Sequence, residues 1–385
     1  MPLYEMRKFV APEFIFGVDA RRRAGFYARN LQSRRPLVVT DPGIIAAGWV
    51  GELLADLDEC GLQAALFSAV TPNPRDFEIM AGAALYRDEG CDVIVAIGGG
   101  SAIDCAKGIG IVVGNGGHIL DYEGVDRIPR PGPPLICIPT TAGTAADISQ
   151  FAIVNSCDRR CKVAIVSKSV VPDVALVDPE TTTTLDPYLT ACTGLDALTH
   201  AIEAYVSTAS SPFVDIHALA AITLIRDNLL LAVAQPGDLE AREHMMLASL
   251  QAGLAFSNAS LGAVHAMAHS LGGYLDLPHG ESNALLLEHV LRFNYPYAEE
   301  RYRRIGELLG VEPGGSSSAA QCERIAASLA ELRLACGICG GLSARGVTAG
   351  VIADLAQPVV RDACIFTNPR RVSQADVETL YAEAL

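Results

Sequence analysis

The sequence predicts an α/β first half, built on a parallel sheet of Rossmann-like form, and an all-α second half. Three observations carry that expectation. Short apolar segments alternate with helical ones to about residue 180, the pattern of a parallel sheet covered by helices. A strand, a glycine loop and a helix follow one another between Asp92 and Ile111. Beyond the run Thr181–Thr184, closed by Asp186-Pro187, strand signals stop and apolar helical patterns dominate to the end. A boundary there divides the chain into residues 1–185 and 186–385.

At 385 residues the chain is long enough for two domains of ~100–200 residues each. Hydrophobic residues make up 50% and charged residues 19%, which predicts a well-packed globular protein. The net charge of −15 argues against nucleic acid or an anionic membrane surface as partner, since both would repel it. Met1–Lys8 lacks the basic-then-apolar order of a signal peptide, and no apolar run approaches the ~18 residues of a membrane span, so a soluble cytoplasmic protein is expected. The eleven cysteines are odd in number and scattered, as at Cys91, Cys105, Cys137 and Cys192. Reduced thiols are the simplest account. The pair Cys336 and Cys339 reads as structural, and so do Cys157 and Cys161, which flank a turn.

In chain order, 13–17 is a short strand and Arg21–Arg23 a solvated helix start. Arg35–Val39 is a buried strand ending at Asp41-Pro42-Gly43. Asp41 has two readings: it caps the turn, or it holds the ribose 2′-hydroxyl of a dinucleotide and repels a 2′-phosphate. A helix over 49–60, a strand over 64–67 and the loop Thr71–Pro74 follow. The segment 92–97 is a strand, Gly98-Gly99-Gly100-Ser101 a tight loop and 102–111 a helix. That order lets backbone amides at a helix N-terminus meet a pyrophosphate, although it is not the GxGxxG spacing. Gly114–Gly117 reads as a loop, Pro129–Pro134 as a connection, and 135–138 as a strand running into Pro139–Asp147. Phe151–Val154 and Lys162–Val166 form a hairpin, Val174–Val177 is the final strand, and Pro313–Ser318 is a loop or helix cap.

The second half carries the metal chemistry. Asp196, His200 and Glu203 recur at helical spacing, so Asp196 and His200 project one turn apart from one face. His265 and His269 repeat that spacing, and His279 follows on a turn. One such pair alone recurs often by chance. Together they supply imidazoles and one carboxylate, a set that suits iron, zinc or nickel. The small apolar residues around them imply burial, and a buried imidazole or carboxylate needs a partner.

GLDALTHAIEAY, AFSNASLGAVHAMAHSLGG and LPHGESNALLLEHV closely resemble the signature segments of the iron-containing (group III) alcohol dehydrogenases, and the resemblance runs over nearly the whole chain. It implies metal ligands at Asp196, His200, His265 and His279, with His269 facing the substrate without ligating. It implies a dinucleotide-binding first half and a metal-binding, catalytic second half. The dinucleotide phosphates would be held by the GGGSxxDxAK element, Gly98 to Ser101 with Asp104 and Lys107. Asn73 falls on a family loop near the cofactor, Lys162 on a lysine near its ribose, and Asp41 is tipped toward cofactor binding and hence NAD. Where the family pattern reads TTAGTGSE, this chain keeps Thr140, Thr141 and Thr144 but departs at Ala145, Ala146 and Asp147. Alanine at 145 would be strained if the family glycine takes positive φ. By analogy Phe151, Phe256 and Cys364 line the substrate pocket.

The activity so implied is reversible hydride transfer between a small primary alcohol or diol and NAD. Fe2+ is implied by resemblance alone, and Zn2+ binds such ligands at least as tightly. Glu203 would orient a ligand histidine or form a salt bridge, His269 would relay protons or serve a structural role, and Glu281 would stabilise the following helix. A zinc polyol dehydrogenase of glycerol-dehydrogenase type is the near alternative and a dehydroquinate-synthase-like lyase the remote one. Family members form dimers and larger assemblies, so a homo-oligomer is expected.

Overall fold

The structure is a computed structural model and describes residues 8–159, 161–312 and 317–385. The expectations for Met1–Arg7, for Arg160 and for Pro313–Ser316 lie outside the described residues. Among those described, the strands all precede residue 178: β1 (Glu13–Phe16), β2 (Pro36–Val39), β3 (Ala65–Phe67), β4 (Val93–Gly98), β5 (Gly124–Val125), β6 (Leu135–Pro139), β7 (Phe151–Ser156), β8 (Cys161–Val166) and β9 (Val174–Val177). Six form a parallel sheet in the order β1-β9-β6-β4-β2-β3. Strands β2, β4, β6 and β9 are buried along their whole length, which is why they read as unbroken apolar runs. The helices α1 (Ala24–Asn30), α2 (Pro42–Ala46), α3 (Trp49–Glu59), α4 (Asp76–Asp88) and α5 (Gly100–Asn115) connect them.

Strand β2 lies between β3, the next strand in the chain, and β4, the one after it. The chain therefore reverses its direction of travel across the sheet between β2 and β4, and ligands of open α/β sheets bind outside the carboxyl ends of strands at such a point. Asp41 follows β2, and Gly99 to Ser101 follow β4. The predicted hairpin is present as antiparallel β7 and β8, and β5 joins it in a separate three-stranded sheet. Two residues long, β5 carried no readable sequence signal.

From Pro187 onward the described chain is helical. It comprises α6 (Pro187–Val206), α7 (Pro212–Ala234), α8 (Leu239–Ala259), α9 (Ala263–Leu275), α10 (His279–Asn294), α11 (Glu299–Leu308), α12 (Ser318–Ala335), α13 (Ile352–Val359) and α14 (Gln374–Glu383), with short 3-10 turns between. Helix α6 starts at Pro187 because Asp186 caps it, accepting the Leu189 N–H at 2.9 Å.

Several expectations need correction. Arg21 is not solvated: its guanidinium is buried, bonded to Asp178 and Glu180 at 2.7 Å each and to Glu52 at 3.0 Å, and it lies over the Trp49 ring. Only Arg22 and Arg23 face solvent. Helix α5 runs through Gly114 to Asn115, whose amide clamps the proline-rich connection through both the N–H and the C=O of Arg130. His279 opens α10 rather than sitting on a turn. Helix α7 is long and apolar enough to cross a membrane by length and mean hydropathy, 1.6 over its best window, although Asp215 and Arg226 break the apolar run that the sequence reading sought. It packs between α6, α8 and α11, and Asp215 pairs with Arg301 of α11 at 2.8 Å.

Candidate active site

Helices α6, α9 and α10 bring the predicted ligands together. Asp196 Oδ1 lies 3.6 Å from His265 Nε2, 3.9 Å from His279 Nε2 and 4.0 Å from His200 Nε2. A tetrahedral ion with bonds of ~2.1 Å separates its ligands by about 3.4 Å, so a contraction of a few tenths of an ångström would close the set around one cation. Asp196, His200, His265 and His269 are each at least 95% buried. His200 is stacked between Phe256 and His265, at ring separations of 4.3 and 4.4 Å. One carboxylate and three imidazoles at the buried end of a cleft fit a divalent borderline cation, and these residues fit iron or zinc equally.

Glu203, one turn after His200, fixes the central imidazole. Its Oε2 accepts His265 Nδ1–H at 2.6 Å and the Gly262 N–H at 3.1 Å, and its Oε1 accepts the Val264 N–H at 2.7 Å. The same carboxylate caps α9, where negative charge is favoured, and leaves His265 Nε2 facing Asp196. Burial alone would raise the Asp196 carboxyl, but His200, His265 and His279 hold it well below the usual range. His200 is lowered to about 3, mainly by burial. Burial also opposes charge on His265, yet Asp196 and Glu203 together lift it to about 9. Of the three imidazoles only His265 is pushed toward its charged form, while burial holds His200 and His279 neutral.

His269 lies beside this group and stacks on His279 at 5.3 Å. Its Nδ1–H donates to Asp362 at 2.8 Å, and Asp362 also accepts the Cys364 N–H at 2.8 Å. Cys364 does not line the cleft. It is fully buried behind Asp362, because the turn Ala363–Thr367 folds its side chain into the core. Glu281 lies in the first turn of α10 as expected and pairs with Arg345 at 2.7 Å.

A cleft of about 750 Å³ runs from these histidines to the sheet. Asp41, Asn73, Gly99, Gly100 and Ser101 line it, as do Asp104, Thr140, Thr141 and Thr144, of which Thr141 packs against Gly99 and Thr144 against Gly100. Gly98, the last residue of β4, sits beneath that loop and is not part of the wall. Asp41 caps α2, accepting the Gly43 and Ile44 N–H groups at 2.8 and 3.2 Å, and it also borders the cleft. Asn73 adopts φ 58°, and its backbone N–H donates to Ser101 Oγ. Lys162, Phe151 and Phe256 also line the cleft, and Phe256 stacks on His200 at its histidine end. Burial lowers the Lys162 amine to about 8, against the opposing pull of Asp196, Asp104 and Asp276. Lys107 is turned away from any phosphate: its Nζ donates to the Ser149 and Phe151 carbonyls at 2.8 and 2.6 Å, stapling α5 to β7.

The departures from the TTAGTGSE pattern have visible consequences. Ala145 adopts φ 47°, a conformation that costs an L-residue about 1–2 kcal/mol. Its methyl group occupies the space above Gly253 of α8, where an added Cβ would lie 2.5 Å from it. Gly253→Ala is therefore expected to destabilise the protein by about 1–3 kcal/mol, and Ala145→Gly added to it should restore most of the loss in chemical denaturation. Asp147 is buried, and burial pushes its carboxyl up to about 6 against the pull of Lys107. Its folded pKa thus exceeds the unfolded value of ~3.9. The stability it contributes is full below pH 4 and is lost as pH rises through 6. Asp147→Asn should be up to about 3 kcal/mol more stable than the parent at pH 8 and match it near pH 4, as read from urea midpoints.

Two residues at the site escaped the sequence reading. Asn283 follows His279 by one helical turn, a spacing that could have flagged it. Asp362 carries no local signal, because its partner His269 is 93 positions away.

Comparison with known proteins agrees with this arrangement. Residues 11–179 match the family model described as iron-containing alcohol dehydrogenase, and residues 190–385 match the C-terminal model of the Fe-containing alcohol dehydrogenase family. The 1,3-propanediol dehydrogenase of Klebsiella pneumoniae is 40% identical over 99% of both chains. The NAD-dependent methanol dehydrogenase of Bacillus methanolicus is 38% identical over 98% of this chain and 99% of its own. The crystal structure of a 1,3-propanediol oxidoreductase superimposes with a TM-score of 0.95 at 39% identity, covering 99% of this chain and all of that one. The chain therefore belongs to the iron-containing alcohol dehydrogenase family and is an alcohol oxidoreductase.

Proposed function

We propose that the protein catalyses reversible hydride transfer between a small primary alcohol or diol and NAD, with Fe2+, or alternatively Zn2+, held by Asp196, His200, His265 and His279. The observation that carries this reading is a single cleft with four convergent metal donors at one end and the glycine loop of the sheet's switch point at the other. Such a cation supplies Lewis acidity that lowers the pKa of an alcohol, and NAD supplies the hydride acceptor.

The chain's own residues do the rest. Gly99, Gly100 and Ser101 present the N-terminus of α5 to a pyrophosphate. Asp41 places a carboxylate at the end of β2, where it would accept from a ribose 2′-hydroxyl and repel a 2′-phosphate. The Thr140 hydroxyl, buried and without a partner among the described residues, would bond the cofactor. Asp362 takes the Nδ1–H of His269, which leaves Nε2 to accept a proton. Phe151 and Phe256 keep water from the reacting end, and the names of the relatives point to short alcohols and diols such as methanol and 1,3-propanediol. A cytoplasmic homo-oligomer completes the proposal, supported by eleven unpaired thiols and by Phe213 and Ile216, exposed on α7.

The test is NADH or NADPH formation from methanol, ethanol, 1,3-propanediol and 1,2-propanediol. At least one should be oxidised, with NAD preferred over NADP by tenfold or more in kcat/KM. Preference for NADP, or no turnover of any alcohol, would contradict the proposal.

A further inference from the structure

Asn283 of α10 reaches into the group of metal donors, although its side chain is neutral. Its amide Nδ2 lies 2.7 Å from Asp196 Oδ1, 3.1 Å from His265 Nε2 and 3.3 Å from His279 Nε2. The residue is wholly buried, and its amide oxygen has no hydrogen-bond partner among the described residues. Its two N–H bonds can serve Asp196 and one imidazole at a time, and a buried amide that leaves its own acceptor unsatisfied to do so is placed by those partners. The opposite rotamer would aim an oxygen lone pair at a carboxylate and two imidazole lone pairs.

With His265 neutral, as a metal ligand must be, these three acceptors face one another, and without a donor between them they would repel. A lysine there would supply the donor, but its fixed charge would compete with a cation. An apolar residue would leave the lone pairs opposed. An amide is the neutral solution, because it holds the acceptors together and adds no charge for an ion to overcome. When a cation takes the imidazole lone pairs, the bond to Asp196 is the one able to persist, since a carboxylate oxygen has a lone pair to spare.

We propose that Asn283 is a positioning residue of the metal site, holding Asp196, His265 and His279 in their converged arrangement and keeping Asp196 oriented toward the ion. The inference rests on the metal-binding reading given above. Removing such a partner typically weakens metal affinity 10–100-fold.

The test is the Zn2+ dissociation constant of the full chain, by competition with a chromophoric chelator, for the parent, Asn283→Ala and Asn283→Leu. Leucine matches asparagine in shape and removes the donor without opening a cavity, so it separates hydrogen bonding from packing. Circular dichroism and melting of the metal-free proteins report whether each variant folds. The expected result is a folded Leu variant with a 10–100-fold higher dissociation constant, and an altered visible absorption band when Co2+ replaces Zn2+. Equal Zn2+ affinity in parent and Leu variant would overturn the role of Asn283 while leaving the metal site intact. A parent that binds no divalent ion would overturn the metal reading itself.

Discussion

His265→Ala is expected to abolish both metal retention and turnover, with kcat/KM falling by at least about three orders of magnitude, because a metal Lewis acid contributes several kcal/mol to such a reaction. His265 is the hub of the site: Nε2 lies 3.6 Å from Asp196, Nδ1 lies 2.6 Å from Glu203, and the ring stacks on His200. The fold should survive, because Glu203 keeps its two backbone donors at Gly262 and Val264 and continues to cap α9. Metal content by atomic absorption and kcat/KM on the same preparation provide the check. A variant with normal activity and no metal would remove the basis of the site assignment.

Gly280→Ala should cost about 3 kcal/mol or more of stability. A Cβ at 280 would lie 2.1 Å from the Cys192 carbonyl oxygen, 2.7 Å from its carbonyl carbon and 3.2 Å from Asp196 Cβ. Two of these are backbone atoms of α6, so no side-chain rotation relieves the clash, and α6 and α10 must separate. That movement carries Asp196 away from His279, which precedes Gly280 directly. The variant should therefore lose metal affinity together with stability, whereas an ordinary surface Gly→Ala change would do neither. Urea denaturation and metal titration of one variant measure both losses, and unchanged values would show that the helices are not in contact here.

What the sequence made legible was local and periodic. Buried parallel strands read as apolar runs at β2, β4 and β6, and the pairs Asp196/His200 and His265/His269 read from one turn of helix. The strand–glycine loop–helix unit at β4 and α5 also depends on neighbours in sequence. What stayed hidden depends on partners far along the chain. Arg21 resembles a solvated basic run until Asp178 and Glu180 fold against it. Lys107 looks like a phosphate ligand until Ser149 and Phe151, just before and at the start of β7, offer it two carbonyls. Cys364 and Asp362 lie two residues apart, yet one packs into the core and the other turns to His269, a choice set by the turn between them. The strain expected at Ala145 could be anticipated from the glycine it replaces, but the matching gap at Gly253 could not.

The central claim is that the four convergent side chains hold the ion on which alcohol oxidation depends. Its most direct test is NADH formation by chelator-stripped protein before and after adding Fe2+ anaerobically or Zn2+. The account predicts no turnover of any short alcohol or diol by stripped protein, and recovery when about one equivalent of ion is restored. Undiminished turnover by metal-free protein would contradict it.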